Sequence, residues 1–178
     1  MRMQIIDNSN YEKYYIDASA LIRIFRFYPQ SLRELIWEKL EAMFKSGQLI
    51  SHRFVYEEIA TTSRQPDALA KSVMPLRDYF ETQKYSQAKI VADIIKKYPR
   101  LIDPEYEKEQ ADPWLIAIAI EEKYRNGLEI IYVISEESEK RQDKIPSVCS
   151  HYGIEHLNLE RFYKKIGLSF SVVSKLHE

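Results

Sequence analysis

A chain of 178 residues with 45% hydrophobic side chains predicts one compact domain with a sizeable core and excludes a disordered protein. The formal net charge of -1 excludes a global basic field, so any contact with nucleic acid must use local positive charge. The single cysteine, Cys149, excludes an internal disulfide and a thiolate zinc cluster. Because no stretch approaches the roughly 20 apolar residues of a membrane span, the sequence predicts a cytoplasmic protein.

Short apolar runs and helical periodicities predict strands that alternate with helices along the chain. Predicted strands cover 14–16, 48–50, 130–134 and 154–157. Predicted helices cover 20–27, 32–46, 53–62, two or three segments within 66–98, then 112–124, 146–152 and 159–166. This alternation is typical of a parallel sheet covered by helices on both faces. The sequence therefore predicts one α/β domain over 1–178, with a loose arm at 1–12 and a tail at 168–178.

Two helix starts carry specific signals. Ser31 followed by Glu34 has the spacing of a capping box, in which each side chain bonds to the backbone of the other residue. Asp112 followed by Pro113 predicts a helix with an acid at the N-cap and proline at the first helical position.

Four carboxylates fall where predicted elements begin or end. Asp17 ends the first strand, Glu58 lies on the helix after the second, Asp112 begins the helix before the third, and Glu137 follows the third. Open α/β sheets bind ligands outside the carboxyl ends of their strands. Two like charges about 4 Å apart repel by roughly 4 kcal/mol at an effective dielectric near 20. A cluster of these acids would therefore need a proton or a cation.

Helical geometry separates one pair of neighbouring acids but not another. At about 100° per residue, Glu58 can face the same side as the apolar Val55, whereas Glu57 points to solvent. For Glu136 and Glu137, strand alternation gives no answer once the chain has turned, and both remain candidates.

Four segments resemble the PIN-domain nuclease family, which includes the VapC-type toxins of toxin–antitoxin pairs. The matching segments, in the family's order, are Ile16-Asp17-Ala18-Ser19, Val55-x-x-Glu58-Ile59, Ala111-Asp112-Pro113-Trp114-Leu115-Ile116-Ala117 and Val133-Ile134-Ser135-Glu136-Glu137. Further segments, such as Leu49-Ile50-Ser51 and Lys144-Ile145-Pro146, resemble a PIN-like branch of uncharacterised prokaryotic proteins. The chain departs from the family at Ser135, where threonine is usual, and at Glu137, where aspartate is usual.

The resemblance implies a three-layer α/β/α sandwich with a short central parallel sheet, and a metal-dependent endoribonuclease that cleaves RNA with metal-activated water. Oxygen-only ligands favour Mg²⁺ or Mn²⁺. In this hypothesis Asp17, Glu58 and Asp112 hold one or two ions and Glu137 is an outer ligand or orients water. Ser19 and Ser135 would position water or phosphate. The expected partners are an RNA substrate, an antitoxin protein and a second copy of the chain.

Two other hypotheses compete with the ribonuclease. A catalytically silent PIN-fold module that binds RNA or protein is kept open by the departure at Glu137. A phosphatase of the haloacid-dehalogenase type also begins with an acid after the first strand, but that chemistry requires Asp-x-Asp, and the third position here is Ser19. A denser acidic run at 103–109 is predicted to be a solvated loop. The arginines that flank the acids are candidates for phosphate contacts or for surface ion pairs: Arg23, Arg26, Arg53 and Arg64.

Overall fold

The structure is a computed structural model that describes residues 12–61, 66–126 and 130–168, apart from the side chain of Asn126. In chain order its elements are β1 (Glu12–Ile16), α1 (Ala18–Phe27), α2 (Gln30–Lys45), β2 (Leu49–His52), α3 (Arg53–Ala60), α4 (Ala68–Val73), a 3₁₀ helix (Met74–Tyr79), β3 (Phe80–Glu81), α5 (Tyr85–Lys97), a second 3₁₀ helix (Pro99–Leu101), α6 (Ala111–Asn126), β4 (Ile130–Ile134), α7 (Ile145–His151), β5 (Glu155–Leu157) and α8 (Leu159–Lys165).

The five strands form one parallel sheet in the order β3-β2-β1-β4-β5. β1 and β4 lie at its centre, with Tyr14 opposite Tyr132 and Ile16 opposite Ile134. β3 was not predicted, because a strand of two residues gives too short a pattern to recognise from sequence.

Alternate residues of the central strands enter two separate cores. Tyr14 and Ile16 pack in a cluster with buried residues of α1, α2, α4 and α8. Tyr15 points the other way and packs with buried residues of α5, α6 and α7. Since neighbouring strand residues face opposite sides, both faces of the sheet are covered. The three-layer α/β/α sandwich with a central parallel sheet is therefore confirmed.

Both predicted helix starts are displaced. α2 begins at Gln30 with Pro29 as its N-cap, so the capping box at Ser31 and Glu34 is wrong. Pro29 already has the extended backbone that precedes a helix, and Gln30 instead donates a side-chain hydrogen bond of 2.8 Å to Glu34. α6 begins at Ala111, two residues before the predicted first helical position at Pro113, so Asp112 lies in its first turn and is not the N-cap.

The ends of the chain agree only in part with the predicted arm and tail. Glu12 was assigned to the arm but begins β1, where it accepts a hydrogen bond of 2.7 Å from the Tyr14 hydroxyl. The remainder of the predicted arm and residues 169–178 lie outside the described residues. In the described part of the chain, no helix combines the length and the apolar character needed to cross a membrane.

Candidate active site

The order in which the chain adds strands to the sheet reverses between β1 and β4. The chain builds outward from β1 through β2 to β3, then returns to place β4 on the other side of β1. In open α/β sheets such a switch point, at the carboxyl ends of the strands, is where ligands bind. Here the two strand ends are joined directly, because Asp17 N donates to Ile134 O at 2.9 Å and Glu136 N donates to Ser19 Oγ at 3.0 Å.

Asp17 is fixed by the first turn of α1. It is the N-cap of that helix, and its Oδ2 accepts from Ser19 N at 3.0 Å and from Ser19 Oγ at 2.6 Å. The side chain is only 4% exposed, and burial raises the pKa of Asp17 above its ordinary value. The hydrogen bonds from Ser19 oppose that increase, whereas the negative charge of Glu137 adds to it. Asp17 is thus a buried carboxylate that interacts electrostatically with a second acid, Glu137.

Asp112 shows most clearly that the acids converge. Its pKa is raised to about 8, first by burial and then by the negative charges of Asp17, Glu137 and Glu58. Lys144 lowers it. Because these residues lie on four different segments, only the tertiary fold could produce this interaction.

Glu58 lies at the solvent-exposed rim of the same cavity. Partial desolvation raises its pKa, and the charge of Asp17 raises it further. Its neighbour Glu57 also lines the cavity, which corrects the prediction that only Glu58 faces inward. α3 is short and lies near the cavity mouth, so a residue 100° away along the helix can still reach its edge.

The choice between Glu136 and Glu137 is decided by their partners. Glu137 lines the cavity. Glu136 points away from it, accepting from Leu159 N at 2.7 Å and pairing with Arg23 Nε at 2.8 Å. Glu136 therefore ties the β4 turn to α8 and α1.

The two predicted serines differ in position. Ser19 lines the cavity and holds Asp17. Ser135 is fully buried, its Oγ lying 2.9 Å from His156 Nε2 and 3.5 Å from Glu137 N, and it is not part of the cavity wall. A direct contact between Ser135 and water or phosphate in the cavity does not fit this position. Ser135 supports the turn that carries Glu137.

The helices that carry Glu58 and Asp112 are joined by a group that the sequence did not reveal. His52 is the N-cap of α3, and its Nδ1 accepts from Phe54 N at 3.2 Å. The His52 ring stacks on Trp114 of α6 at a centroid distance of 5.5 Å. Burial lowers the pKa of His52 to about 4, so the ring is neutral at physiological pH. Its role is to hold α3 against α6.

A cavity of about 960 Å³ contains these acids and a wall of different character. The wall comes from the segment between α5 and α6 and contains apolar, aromatic, basic, acidic and amide residues: Arg100, Leu101, Ile102, Asp103, Tyr106, Lys108, Glu109 and Gln110. The predicted arginines lie elsewhere. Arg23 pairs with Glu136, Arg53 lies over the Tyr56 ring at 5.3 Å, and neither of them nor Arg26 lines the cavity. Arg64 lies outside the described residues.

Lys144 also lines the cavity, although the sequence did not predict it as a functional residue. It is the N-cap of α7, and its Nζ lies 2.7 Å from Glu137 Oε1. The available signal was its place at the end of the charged loop after β4, directly before the Ile145-Pro146 helix start.

The donor set fits a hard cation in chemistry, although its side chains do not form a closed site as they stand. Among the residues that the structure describes, no three His, Cys, Asp or Glu side chains form a group able to hold a metal ion. Asp17 is turned toward Ser19 and Glu137 toward Lys144. Carboxylate oxygens are the ligands that Mg²⁺ and Mn²⁺ prefer, and the raised pKa of Asp112 reflects negative charge that a cation would neutralise.

Comparison with known proteins gives a family without an assigned activity. No curated protein matches the chain. A family profile described as "Domain of unknown function (DUF4411)" matches residues 14–170. This range contains the whole described sheet after its first two residues and all four carboxylates that converge on the cavity. The chain belongs to the DUF4411 family.

Proposed function

We propose that this protein is a metal-dependent endoribonuclease of the PIN type that hydrolyses RNA phosphodiester bonds. One observation carries the proposal. Asp17, Glu58, Asp112 and Glu137 come from four separate segments and meet at the switch point of a parallel sheet, where burial and the charges of neighbouring acids raise the pKa values of Asp17, Glu58 and Asp112. Structural acids are seldom gathered in this way, since burial of unpaired like charges is unfavourable.

Each residue has a role that follows from its position. Asp17, Glu58 and Asp112 would hold one or two Mg²⁺ or Mn²⁺ ions, and such a metal supplies an activated water and polarises the phosphate. Ser19 keeps the Asp17 carboxylate in place through two hydrogen bonds. The cavity volume, about 960 Å³, is large enough for a nucleotide and its neighbouring phosphates.

The resemblance to toxin nucleases extends the proposal to partners and location. An antitoxin protein, a second copy of the chain and a cytoplasmic setting belong to it as implications of that resemblance. The local positive charge that RNA requires is offered by Arg100 and Lys108 on the cavity wall, although the chain as a whole has a net charge of -1.

A catalytically silent RNA- or protein-binding module is the second candidate. It is favoured by the ion pair between Lys144 and Glu137, because a lysine already offsets part of the negative charge that would attract a metal. The two candidates differ in what a metal titration shows. A silent module gives no thermal shift with Mn²⁺ and no cleavage.

The test is cleavage of a fluorescently labelled, unpaired RNA with Mg²⁺ or Mn²⁺, with a chelator control. Asp17→Asn is expected to lower the rate by at least about 100-fold, the size of effect produced by losing one key electrostatic group. Asparagine still caps the helix, so the fold is retained. The matched control is Asp78→Asn at an exposed position on the first 3₁₀ helix. Equal metal-dependent cleavage by Asp17→Asn and the wild type would contradict the proposal.

A further inference from the structure

Both carboxylate oxygens of Glu137 have partners. Oε1 forms the 2.7 Å ion pair with Lys144 Nζ. Oε2 accepts a hydrogen bond of 2.9 Å from the backbone N of Ile145, the first residue of α7. The two partners are consecutive in sequence, so the carboxylate bridges the turn after β4 to the start of α7. This is the arrangement of a group that holds a neighbour in place.

Lys144 is held with its ammonium group in the cavity. Its side chain is 28% exposed, whereas that of Glu137 is 15% exposed, so the lysine is the more accessible member of the pair. It also lines the cavity together with Asp17 and Asp112. A lysine ammonium has three N–H donors, and the contact with Glu137 uses one of them. Among the residues that the structure describes, Glu137 is the one that contacts this ammonium group, which leaves two donors for an anion that enters the cavity.

We propose that Lys144 binds the phosphate of the substrate beside the acidic cluster, and that Glu137 positions Lys144 and is not a metal ligand. This inference rests on the proposed ribonuclease function and makes it more specific. The metal would be held by Asp17, Glu58 and Asp112, and the substrate class recognised by Lys144 is the phosphodiester backbone. The longer glutamate at position 137 suits this role, since its extra methylene lets one carboxylate reach both Lys144 and the start of α7.

A merely structural ion pair would behave differently from a phosphate-binding lysine. Loss of a structural pair lowers stability and leaves ligand affinities unchanged in a correctly folded protein. Loss of a phosphate contact weakens RNA binding and reduces its dependence on salt. Lys39 provides the matched control, because it is an exposed lysine on α2 that does not line the cavity.

The first experiment measures RNA affinity without cleavage, by fluorescence anisotropy of an unpaired RNA with Ca²⁺ in place of Mg²⁺. Lys144→Gln is expected to weaken binding by at least about 10-fold and to reduce the salt slope by about 0.7, the value for one lost contact to single-stranded nucleic acid. Lys39→Gln is expected to change affinity by less than about three-fold, as for a charge outside the binding cavity. Circular dichroism of each variant establishes that it is folded.

The second experiment measures Mn²⁺ affinity by calorimetry, with no RNA present. Glu137→Gln keeps an acceptor for Ile145 N and is expected to change the Mn²⁺ dissociation constant by less than about three-fold. Asp17→Asn is expected to raise the dissociation constant by more than about 10-fold, because it removes the negative charge of a ligand. Lys144→Gln is expected to bind Mn²⁺ at least as tightly as the wild type, because a nearby positive charge has been removed.

The outcomes separate the two proposals. If the wild type binds no RNA, the ribonuclease function and the role of Lys144 are both wrong. If the wild type binds RNA and Lys144→Gln binds it equally well, only the role of Lys144 is wrong. If Glu137→Gln loses Mn²⁺ affinity as severely as Asp17→Asn, Glu137 is a metal ligand and the assignment of Glu137 as a positioning residue is overturned while the function stands.

Discussion

The protein has two acidic regions that differ in how strongly their carboxylates interact with one another. One is the run at 103–109, where four acids lie within seven residues, all exposed on one loop: Asp103, Glu105, Glu107 and Glu109. The other is the cavity cluster of Asp17, Glu58, Asp112 and Glu137, whose members are far apart in sequence. Of the four loop acids, Asp103 and Glu109 also line the wall of that cavity. The acids that are closer together in sequence are the ones that interact less with one another. Separation along the chain, followed by convergence in space, marks the candidate site.

Solvent explains the difference. Acids on an exposed loop are screened by water and ions and interact weakly with one another. In the loop they serve local structure, as when Asp103 Oδ1 accepts from Glu105 N at 3.0 Å and Glu109 accepts from Trp114 Nε1 at 3.0 Å. In the cavity, the same chemical group is desolvated and is repelled by the neighbouring negative charges. The pKa of Asp112 rises to about 8 as a result.

The largest expected difference between the two regions concerns catalysis. Glu58→Gln is expected to lower metal-dependent RNA cleavage by about 100-fold or more, because it removes a charge from the proposed metal site. Glu107→Gln makes the same chemical change in the exposed run and is expected to leave the rate within about two-fold of wild type. Cleavage of a labelled RNA at saturating Mn²⁺ measures both. Equal losses in the two variants would remove the distinction.

A second expected difference is the pH dependence of stability. The folded-state pKa of Asp112, about 8, lies above its ordinary value of 3.8, so the folded protein binds more protons than the unfolded chain between these limits. Stability therefore falls as the pH rises through this window. Asp112→Asn removes the effect and is expected to raise the unfolding midpoint at pH 8 by about 5 °C, equivalent to about 2 kcal/mol for a chain of this size. The gain should be small at pH 4.

Calorimetric or fluorescence-monitored melting without divalent metal, at pH 4, 6 and 8, provides the measurement. Glu107→Gln, which lies in the exposed run and does not line the cavity, is the control. A gain for Asp112→Asn that is the same at all three pH values would show that the charge of Asp112 is not the cause.

A smaller effect is expected from Ser19, which joins the two strand ends. Its hydroxyl donates to Asp17 and accepts from Glu136 N. Ser19→Ala removes both bonds and is expected to reduce the free energy of unfolding by about 1 to 2 kcal/mol, since each hydrogen bond contributes roughly 0.5–1 kcal/mol. The pKa of Asp17 should rise further, since the bonds from Ser19 lower it. Urea unfolding measures the stability, and an unchanged midpoint would show that the link is dispensable.

The smallest effect is expected in the loop. Glu105→Gln combined with Glu107→Gln removes two charges from exposed positions and should change the free energy of unfolding by less than about 0.5 kcal/mol. The same urea titration measures it. A larger change in either direction would mean that the acidic run has an electrostatic role comparable with that of the cavity cluster.

Sequence by itself determined the parts of this protein that depend on local pattern. The β-branched run before Ser135 predicted β4, and the strand before Asp17 predicted β1, because buried parallel strands are continuous apolar runs. The alternation of strands and helices predicted the sandwich, and the carboxylates at element ends predicted where a site would form. Each of these signals is contained within a segment of a few residues.

Only the tertiary structure decided the features that depend on distant partners. Glu137 faces the cavity instead of Glu136 because Leu159 N and Arg23 hold Glu136 elsewhere. Lys144 stands beside the acids because the loop after β4 returns to the sheet edge, and no local pattern specifies that return. Interaction energies between charges depend on distance and on burial, and the linear sequence specifies neither one for residues more than a hundred positions apart.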